Sequence, residues 1–412
     1  MDSAPSPASS ADMIIVGAGP TGGVLALAAA QSGLNVILLD GRTEADRTRK
    51  DGRNFAIVRG SWALLKSVGL ADALFDTAEP LNGLEAVDGG RHWFGAPEAL
   101  FGVEDLDPRE DGTPLGYMVE AEPLQAEIDK ALAHLDNLDW RAGARFAGLD
   151  IQNGQATVSL EDGTVLSAQL VVGCDGVNSP VRKAAGIPTE GRTYGKSVFA
   201  ANVTLSQPHY GIARQLFTPE GPFATLPLSG NRANLAWYLK TGASEAMAAM
   251  DKAAIEAELN ARFAEFAGEM SLDGTPIAYP LILQIADAMV APRIALVGDA
   301  ARRVNPLAGQ GLNLGFKDVA AFAEVLEDGA RAGLDIGALN VLERYQGWRR
   351  FDANATALGL DMVDRLFSND HALLKPLRGL GLLAANRIKP LRRALARQAS
   401  ADQASLPRRM RG

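Results

Sequence analysis

Hydrophobic positions follow three rhythms along this chain. Uninterrupted apolar runs stand at DMIIV (residues 12 to 16), NVILLD (35 to 40), LVVG (170 to 173) and RIALV (293 to 297). Such short runs have no polar face to offer solvent, which is what strands of a helix-covered parallel sheet need. Between residues 190 and 280 the rhythm changes to alternation, in FAANVTLS, RQLFTP, FATLPL and NLAWYL, and a period of two predicts half-buried antiparallel strands. Helical spacing appears in VLALAAAQSG, stopped by Gly33, and in residues 312 to 326. MAAMDKAAIEAELNARFAEFAG is amphipathic, and its Ala, Leu, Met and Phe predict a packing helix. Residues 51 to 70, DGRNFAIVRGSWALLKSVGL, read as a polar loop leading into an amphipathic helix.

Composition narrows the class. With 412 residues there is room for two domains and a sizeable core, and 47% hydrophobic with 22% charged residues is ordinary for a globular protein. The single cysteine, Cys174, excludes an internal disulfide and fits a reducing compartment. Four histidines with no ligand-spaced pair make a metal site unexpected. The opening MDSAPSPASS is polar and proline-broken, with no basic or apolar signal region, so residues 1 to 10 are expected to be a disordered tail on a cytoplasmic protein. Charge is uneven: residues 375 to 412 hold ten basic residues against the single acid Asp402, a net +9, so with −9 overall the preceding chain carries −18. An acidic body argues against a nucleic-acid partner, whereas the basic, leucine-containing end suits either peripheral membrane contact or a helix capping the body.

The first apolar run ends in GAGPTGG, which puts Gly17, Gly19 and Gly22 at GxGxxG spacing in front of a helix. The second ends at Asp40, 18 residues past Gly22. Strand, glycine turn, helix, strand and acid in that order make a dinucleotide fingerprint. Its first glycine permits the tight turn, its second lets backbone approach a pyrophosphate, and its third lets helix and strand pack closely. Amides at the helix N-terminus then attract phosphate, and Asp40 can accept from an adenosine ribose. The fingerprint alone leaves NAD and FAD both open.

Three further segments bear on that choice. Asp51-Gly52-Arg53 precedes the amphipathic helix; LVVGCDGVNSPVR carries Asp175 and Gly176 after a strand, with Ser179 and Arg182 following; RIALVGDAARRVNPLAGQGLNLGFKDV carries Gly298 and Asp299 after another. In the last, Pro306 breaks the chain, and Gly309 and Gly311 leave backbone amides bare at the start of a helix that begins near Leu312 and Asn313.

Taken in this order, the four segments resemble the single-component FAD-dependent aromatic hydroxylases, similar in fold to p-hydroxybenzoate hydroxylase. NPLAGQGLNLGFKDV, FTPEGPFATLPL and the long C-terminal segment from Asp361 resemble most the hydroxylases of ubiquinone biosynthesis. The resemblance implies that Arg53 holds the FAD pyrophosphate and ribose, that Gln125 reaches FAD, and that Asp175 and Gly176 touch FAD and aid NAD(P)H access. It further implies that Asp299 grips the ribityl chain, and that amides near Gly311 and Leu312 stabilise negative charge on the reduced ring. A polyprenylated phenol or benzoquinol is the implied substrate, NAD(P)H or a separate reductase the electron source, and other ubiquinone-pathway proteins the implied neighbours. A hydroxylase of a small soluble phenol and a non-catalytic flavin-binding assembly subunit stay open at this point.

The chain departs from the family pattern in three places. Arg302 and Asn305 stand where histidines are usual, VVEN is replaced by Val119-Glu120-Ala121, and Arg214-Gln215-Leu216-Phe217 replaces an aromatic-Glu-Arg-Phe run. Arg302, Asn305 and Leu216 are thereby candidates to face the substrate. No catalytic side chain is assigned; Tyr238, Tyr210 and His92 are the residues that could assist phenol deprotonation, with packing or exposure the leading reading for each.

The expected fold is α/β: a doubly wound, Rossmann-like FAD domain from residues 11–75, 111–187 and 285–365, and an α+β substrate domain on an antiparallel sheet from 76–110 and 188–284. A basic helical extension is expected over 366–412.

Overall fold

The computed structural model describes residues 10–47, 52–89, 98–106, 114–304, 310–350, 390, 393, 397 and 406–411. The apolar runs at 12 to 16, 35 to 40, 170 to 173 and 293 to 297 do enter one parallel sheet, in the order Ile294–Leu296, Val165–Gly173, Ser10–Val16, Val36–Asp40, Leu138–Ala142. Met13, Ile14, Ile15, Leu38, Val171 and Val172 are fully buried there, so both faces of the sheet are removed from water. Antiparallel pieces are confined to Val290–Ala291 at one edge and the hairpin of Phe146–Gln152 and Gln155–Leu160.

The fingerprint helix, Pro20–Gln31, packs on helix Ala121–Leu132 at Gly23, where an added Cβ would come within 2.4 Å of Ile128. Its other neighbour is helix Gln310–Arg331, approached at Gly315, whose added Cβ would lie 3.0 Å from the Thr21 hydroxyl. Gly315 lets the N-terminal turns of the helices beginning at Pro20 and Gln310 sit side by side.

A second sheet takes the alternating segments. Its order is Arg302–Arg303, Ile277–Ala286, Thr189–Leu205, Arg232–Lys240, Gly221–Leu228, Ile212–Thr218, Gly83–Asp88, Glu98–Gly102, antiparallel throughout except where Ile212–Thr218 runs parallel to Gly83–Asp88. One face is closed by helix Lys252–Ala267, whose Ile255, Leu259 and Phe263 meet Phe199, Phe223 and Trp237; the Phe223 and Phe263 rings stack with centroids 3.7 Å apart. The opposite face looks toward the flavin-type domain.

Two elements depart from expectation. Residues 51 to 70 are not simply loop and helix: Asn54–Val58 is a strand, paired antiparallel with Gly116–Glu120 in a small third sheet with Glu79–Leu81. Its inducement is a partner some 60 residues away, which local pattern cannot display. The helix read over 312 to 326 runs Gln310–Arg331, because Glu324, Glu327 and Asp328 on its later turns are engaged by Arg408 and Arg409. Around those arginines Leu406 and Met410 are buried in the main core. Apart from helical positions 390, 393 and 397, the rest of the expected C-terminal extension lies outside the described residues, as do His92, Asn305, Pro306, Gly309 and positions 1–9 of the expected tail, while Ser10 already belongs to strand Ser10–Val16. Among the described residues no helix is long and apolar enough to cross a membrane.

Candidate active site

The glycines of the first loop have separable roles. Gly17 adopts φ +104°, and a Cβ there would lie 2.5 Å from the Cys174 carbonyl oxygen. Gly22 packs so tightly on Gly17 that its Cβ would sit 1.8 Å from that residue's carbonyl oxygen. Gly19 is different: a Cβ would meet nothing within 4 Å, and the residue lines a large cavity. Its space is therefore kept for something other than protein.

That cavity, about 660 Å³, lies between the two N-termini and the open face of the second sheet. Gly19, Pro20 and Thr21 line it from the first helix, Gly311 and Leu312 from the later one, and Arg53, Gly176, Asp299, Arg303 and Val304 from the connecting segments. Gly311, like Gly19, would present a Cβ to open space. Two helix N-termini converge on one cavity, so anionic or electron-rich groups of an elongated ligand are favoured at both ends. An FAD fits this donor set: backbone amides for charge, glycines for close approach, and a carboxylate for hydroxyls.

Asp299 is that carboxylate. It is exposed to the cavity it lines, and its side chain accepts no hydrogen bond among the described residues. The surrounding protein desolvates it and raises its pKa; Arg303, Arg53 and Arg302 act in the opposite direction, and Asp318 adds to the rise. Gly298, at φ +66°, makes the turn that aims it. The turn is braced from two sides: the Gly298 N–H donates to Asp318 (3.2 Å), and Arg182 donates to the Ala300 carbonyl (2.8 Å). Arg182 also donates to the Val177 carbonyl (2.8 Å), tying the Asp175-Gly176 turn to the Gly298-Asp299 turn.

Other predicted residues stand behind the cavity wall. The Asp175 carboxylate accepts from the Val181 N–H (3.0 Å) and does not line the cavity; burial raises its pKa despite hydrogen bonds from Ser179 and Val181 and the charge of Arg182. Asn313 is not a wall residue either. Its amide donates to the Ala56 carbonyl (2.6 Å) and accepts from the Val58 N–H (3.1 Å), fixing the strand that follows Arg53. Asp40 and Gln125 meet elsewhere, beside Ala18 and just before Gly19. Asp40 is buried and held by Arg42 (2.9 Å) and by Arg47, while Gln125 donates to the Ala18 carbonyl (3.2 Å) and to Asp129 (2.8 Å). Arg47 bridges Asp40 and Asp129, donates to Ala18 and stacks over Trp140 at 4.6 Å. A ribose hydroxyl at Asp40 would thus share its carboxylate with two guanidinium groups.

Two candidates for substrate contact are corrected. Arg302 is buried and turned inward, paired with the fully buried Asp318, which also accepts from Arg349 (2.7 Å). Leu216 packs toward Gly89 and the second-sheet core and does not line the cavity, which Ala213, Arg214 and Gln215 reach from the same strand. Tyr210 is 75% exposed at a turn and lines nothing, whereas Tyr238 is buried and lines the cavity.

Sequence reasoning missed Tyr279 and Arg303. Tyr279 and Tyr238 both pair with Val198, from opposite sides, so the two phenols flank one position of the sheet. Burial raises the Tyr279 pKa against the pull of Arg303 and Arg53.

Fold and cavity together are those of a protein that binds an elongated dinucleotide cofactor, with the antiparallel sheet lining the same cavity. Residues 10–336 match the FAD binding domain family. A ubiquinone hydroxylase of Rhodospirillum rubrum is 38% identical over 94% of this chain and 89% of its own length, and the 3-demethoxyubiquinol 3-hydroxylase of Escherichia coli 35% over 93% and 96%. In fold, the p-nitrophenol 4-monooxygenase of Pseudomonas putida superimposes with a TM-score of 0.78 over 97% of this chain and 98% of its own, at 20% identity. The chain belongs to the FAD binding domain family of flavin-dependent monooxygenases.

Proposed function

We propose that this protein hydroxylates the aromatic ring of a polyprenylated phenol or benzoquinol intermediate on the route to ubiquinone, using FAD, NAD(P)H and dioxygen. The observation that carries the reading is the single cavity that joins a dinucleotide cradle to a tyrosine- and arginine-flanked recess. Similarity to ubiquinone hydroxylases over nearly the whole chain supports the substrate class.

Bound FAD would supply the redox chemistry, passing an oxygen atom from dioxygen to an electron-rich ring. The chain's own residues bind, orient and exclude water. Asp299, which lines the cavity, would hold the ribityl hydroxyls of FAD, and the amides of Gly311 and Leu312 would stabilise negative charge on the reduced ring. Arg53 and Arg303 bring positive charge to the recess, which favours the ionised, electron-rich form of a phenol. Tyr279, its pKa raised by burial, keeps the proton on its Oη at neutral pH and serves as a donor. The chain holds no second fingerprint for the nicotinamide, so NAD(P)H is expected to bind transiently.

A lipid-borne substrate would bring the protein to the cytoplasmic face of the membrane, beside other enzymes of the pathway. Fractionation of native cells checks this: the protein should sediment with membranes and be released by salt. A deletion strain tests the function. It should accumulate an under-hydroxylated prenylated ring, rescued by the native chain but not by an Asp299→Ala protein that holds no flavin. Normal ubiquinone in that strain would contradict the reading.

A further inference from the structure

Helices Pro20–Gln31 and Gln310–Arg331 run side by side in the same direction. At the cavity end, Thr21 lies against Gly315, whose added Cβ would come 3.0 Å from the Thr21 hydroxyl. At the far end, the Ser32 hydroxyl donates to Glu327 (2.9 Å). Ser32 follows Thr21 by 11 residues and Glu327 follows Gly315 by 12, so the two helices keep pace over about 17 Å. Helix Arg59–Ser67 joins them as a third member. It continues strand Asn54–Val58, and Asn313, near the start of the later helix, accepts from the Val58 N–H (3.1 Å) and donates to the Ala56 carbonyl (2.6 Å).

Residues 406–411 close this group from the side away from the cavity. They pack on helices Arg59–Ser67 and Gln310–Arg331, with Leu406 and Met410 fully buried. The Arg409 guanidinium donates both to Glu327 (2.6 Å) and to the Ser32 hydroxyl (3.1 Å), so it sits on the very bond that joins the first two helices. Arg408 donates its backbone N–H to Glu324 (2.6 Å) and its guanidinium to Asp328 (2.8 Å). Arg411 holds the segment's shape by donating to the Leu406 carbonyl (2.7 Å). None of these six residues lines the cavity.

The same helices meet the cavity at their other ends, through Pro20 and Thr21 on one and Gly311 and Leu312 on the other. An FAD laid along the cavity would bridge those two N-termini as residues 406–411 bridge the far ends. Cofactor and segment thus favour one and the same helix spacing. Two binding events that select one arrangement strengthen each other, and the coupling is reciprocal.

We propose that residues 406–411 are a strap coupled to the cofactor site: docked, they hold the helix spacing that FAD bridges, and bound FAD holds them docked in return. The inference needs the cofactor alone and does not depend on which ring is hydroxylated.

The test uses the full chain and FAD. Its dissociation constant is measured by equilibrium dialysis for the native protein, for Met410→Ala and for the double variant Arg408→Ala, Arg409→Ala. Each variant should bind FAD about tenfold more weakly, a usual scale for coupling between separate sites. In the native protein the amides of Arg408 and Met410, bonded to Glu324 and to the Pro407 carbonyl, report on docking. Their hydrogen-exchange protection should rise by a comparable factor when FAD saturates the cavity. That second measurement needs no variant, so it decides the case where a variant fails to fold. Two results overturn the coupling and reduce the segment to a stabilising contact: dissociation constants within about twofold of native in folded variants, or protection at 406–411 that FAD leaves unchanged while protection around Gly19 and Gly311 rises.

Discussion

At Asp299 the proposed cofactor contact comes at the expense of stability in the cofactor-free fold. Its folded pKa lies above the unfolded value, chiefly through desolvation, so ionisation is less favourable in the cofactor-free fold than in the unfolded chain. The stabilisation it offers is complete below the unfolded carboxylate pKa and is lost as pH rises through the folded one. Asp299→Asn should therefore raise the Tm of cofactor-free protein relative to native at pH 7 and leave it unchanged in acid, as followed by calorimetry. FAD binding should weaken at the same time, by about ten- to a hundredfold for loss of hydrogen bonds to a charged acceptor. The glycines around this residue were legible in sequence because tight turns and close approach leave no other choice. Tyr279 and Arg303 were not, since cross-strand register brings them to the cavity and nothing in YPLILQ or AARRVN displays it. Arg302 was misread for a related reason: its partner Asp318 lies 16 residues on, inside a helix.

At the level of elements, Asp318 is the knot. From helix Gln310–Arg331 it receives the Gly298 amide, Arg302 of the substrate sheet's edge strand, and Arg349. One carboxylate thus joins the flavin-side turn, the helix whose N-terminus enters the cavity, and the sheet above it. Removing one member of a buried pair typically costs about 3–5 kcal/mol, and Asp318→Ala should lose stability on that scale in urea unfolding, together with FAD content. Unchanged unfolding would assign the bracing to other contacts. The substrate sheet has its own core, and Phe263→Ala, which removes a ring stacked on Phe223 and set edge-on to Trp237, should cost about 3–5 kcal/mol by the same measurement. Most elements could be read from periodicity, because burial on one or two faces leaves a plain mark on sequence. Strand Asn54–Val58 escaped because its helix signal begins at the very next residue, Arg59.

Across the whole molecule, two arginines of the basic end, Arg408 and Arg409, meet carboxylates of the acidic body. Arg408 engages Glu324 and Asp328, and Arg409 engages Glu327 at 2.6 Å beside Ser32. Burial alone would raise the Glu327 pKa, but hydrogen bonds from Arg409 and Ser32 and the charge of Arg408 bring it below its usual value; the hydrogen bond from Arg408 does the same for Asp328. Depressed carboxylates stabilise this docking above their unfolded pKa and release it as pH falls through the folded one. Hydrogen-exchange protection factors across residues 406–411 should therefore fall as pH drops below the ordinary carboxylate range, and Glu327→Gln should lower them at neutral pH. The uneven charge was visible in the sequence, but not that its last arginines fold back onto the helix that faces the cofactor cavity. These terminal arginines are consequently engaged by protein carboxylates, and any contact with anionic lipid would have to compete for them.

The central claim is that this cavity brings a prenylated ring to FAD for oxygen transfer. The direct measurement is mass spectrometry of the product after the FAD-loaded protein is given NAD(P)H, ortho-farnesylphenol and isotopically labelled dioxygen. The account predicts a ring-hydroxylated product carrying one labelled oxygen atom, formed by the native chain and absent with Asp299→Ala. Consumption of NAD(P)H with no labelled oxygen in the ring would contradict it.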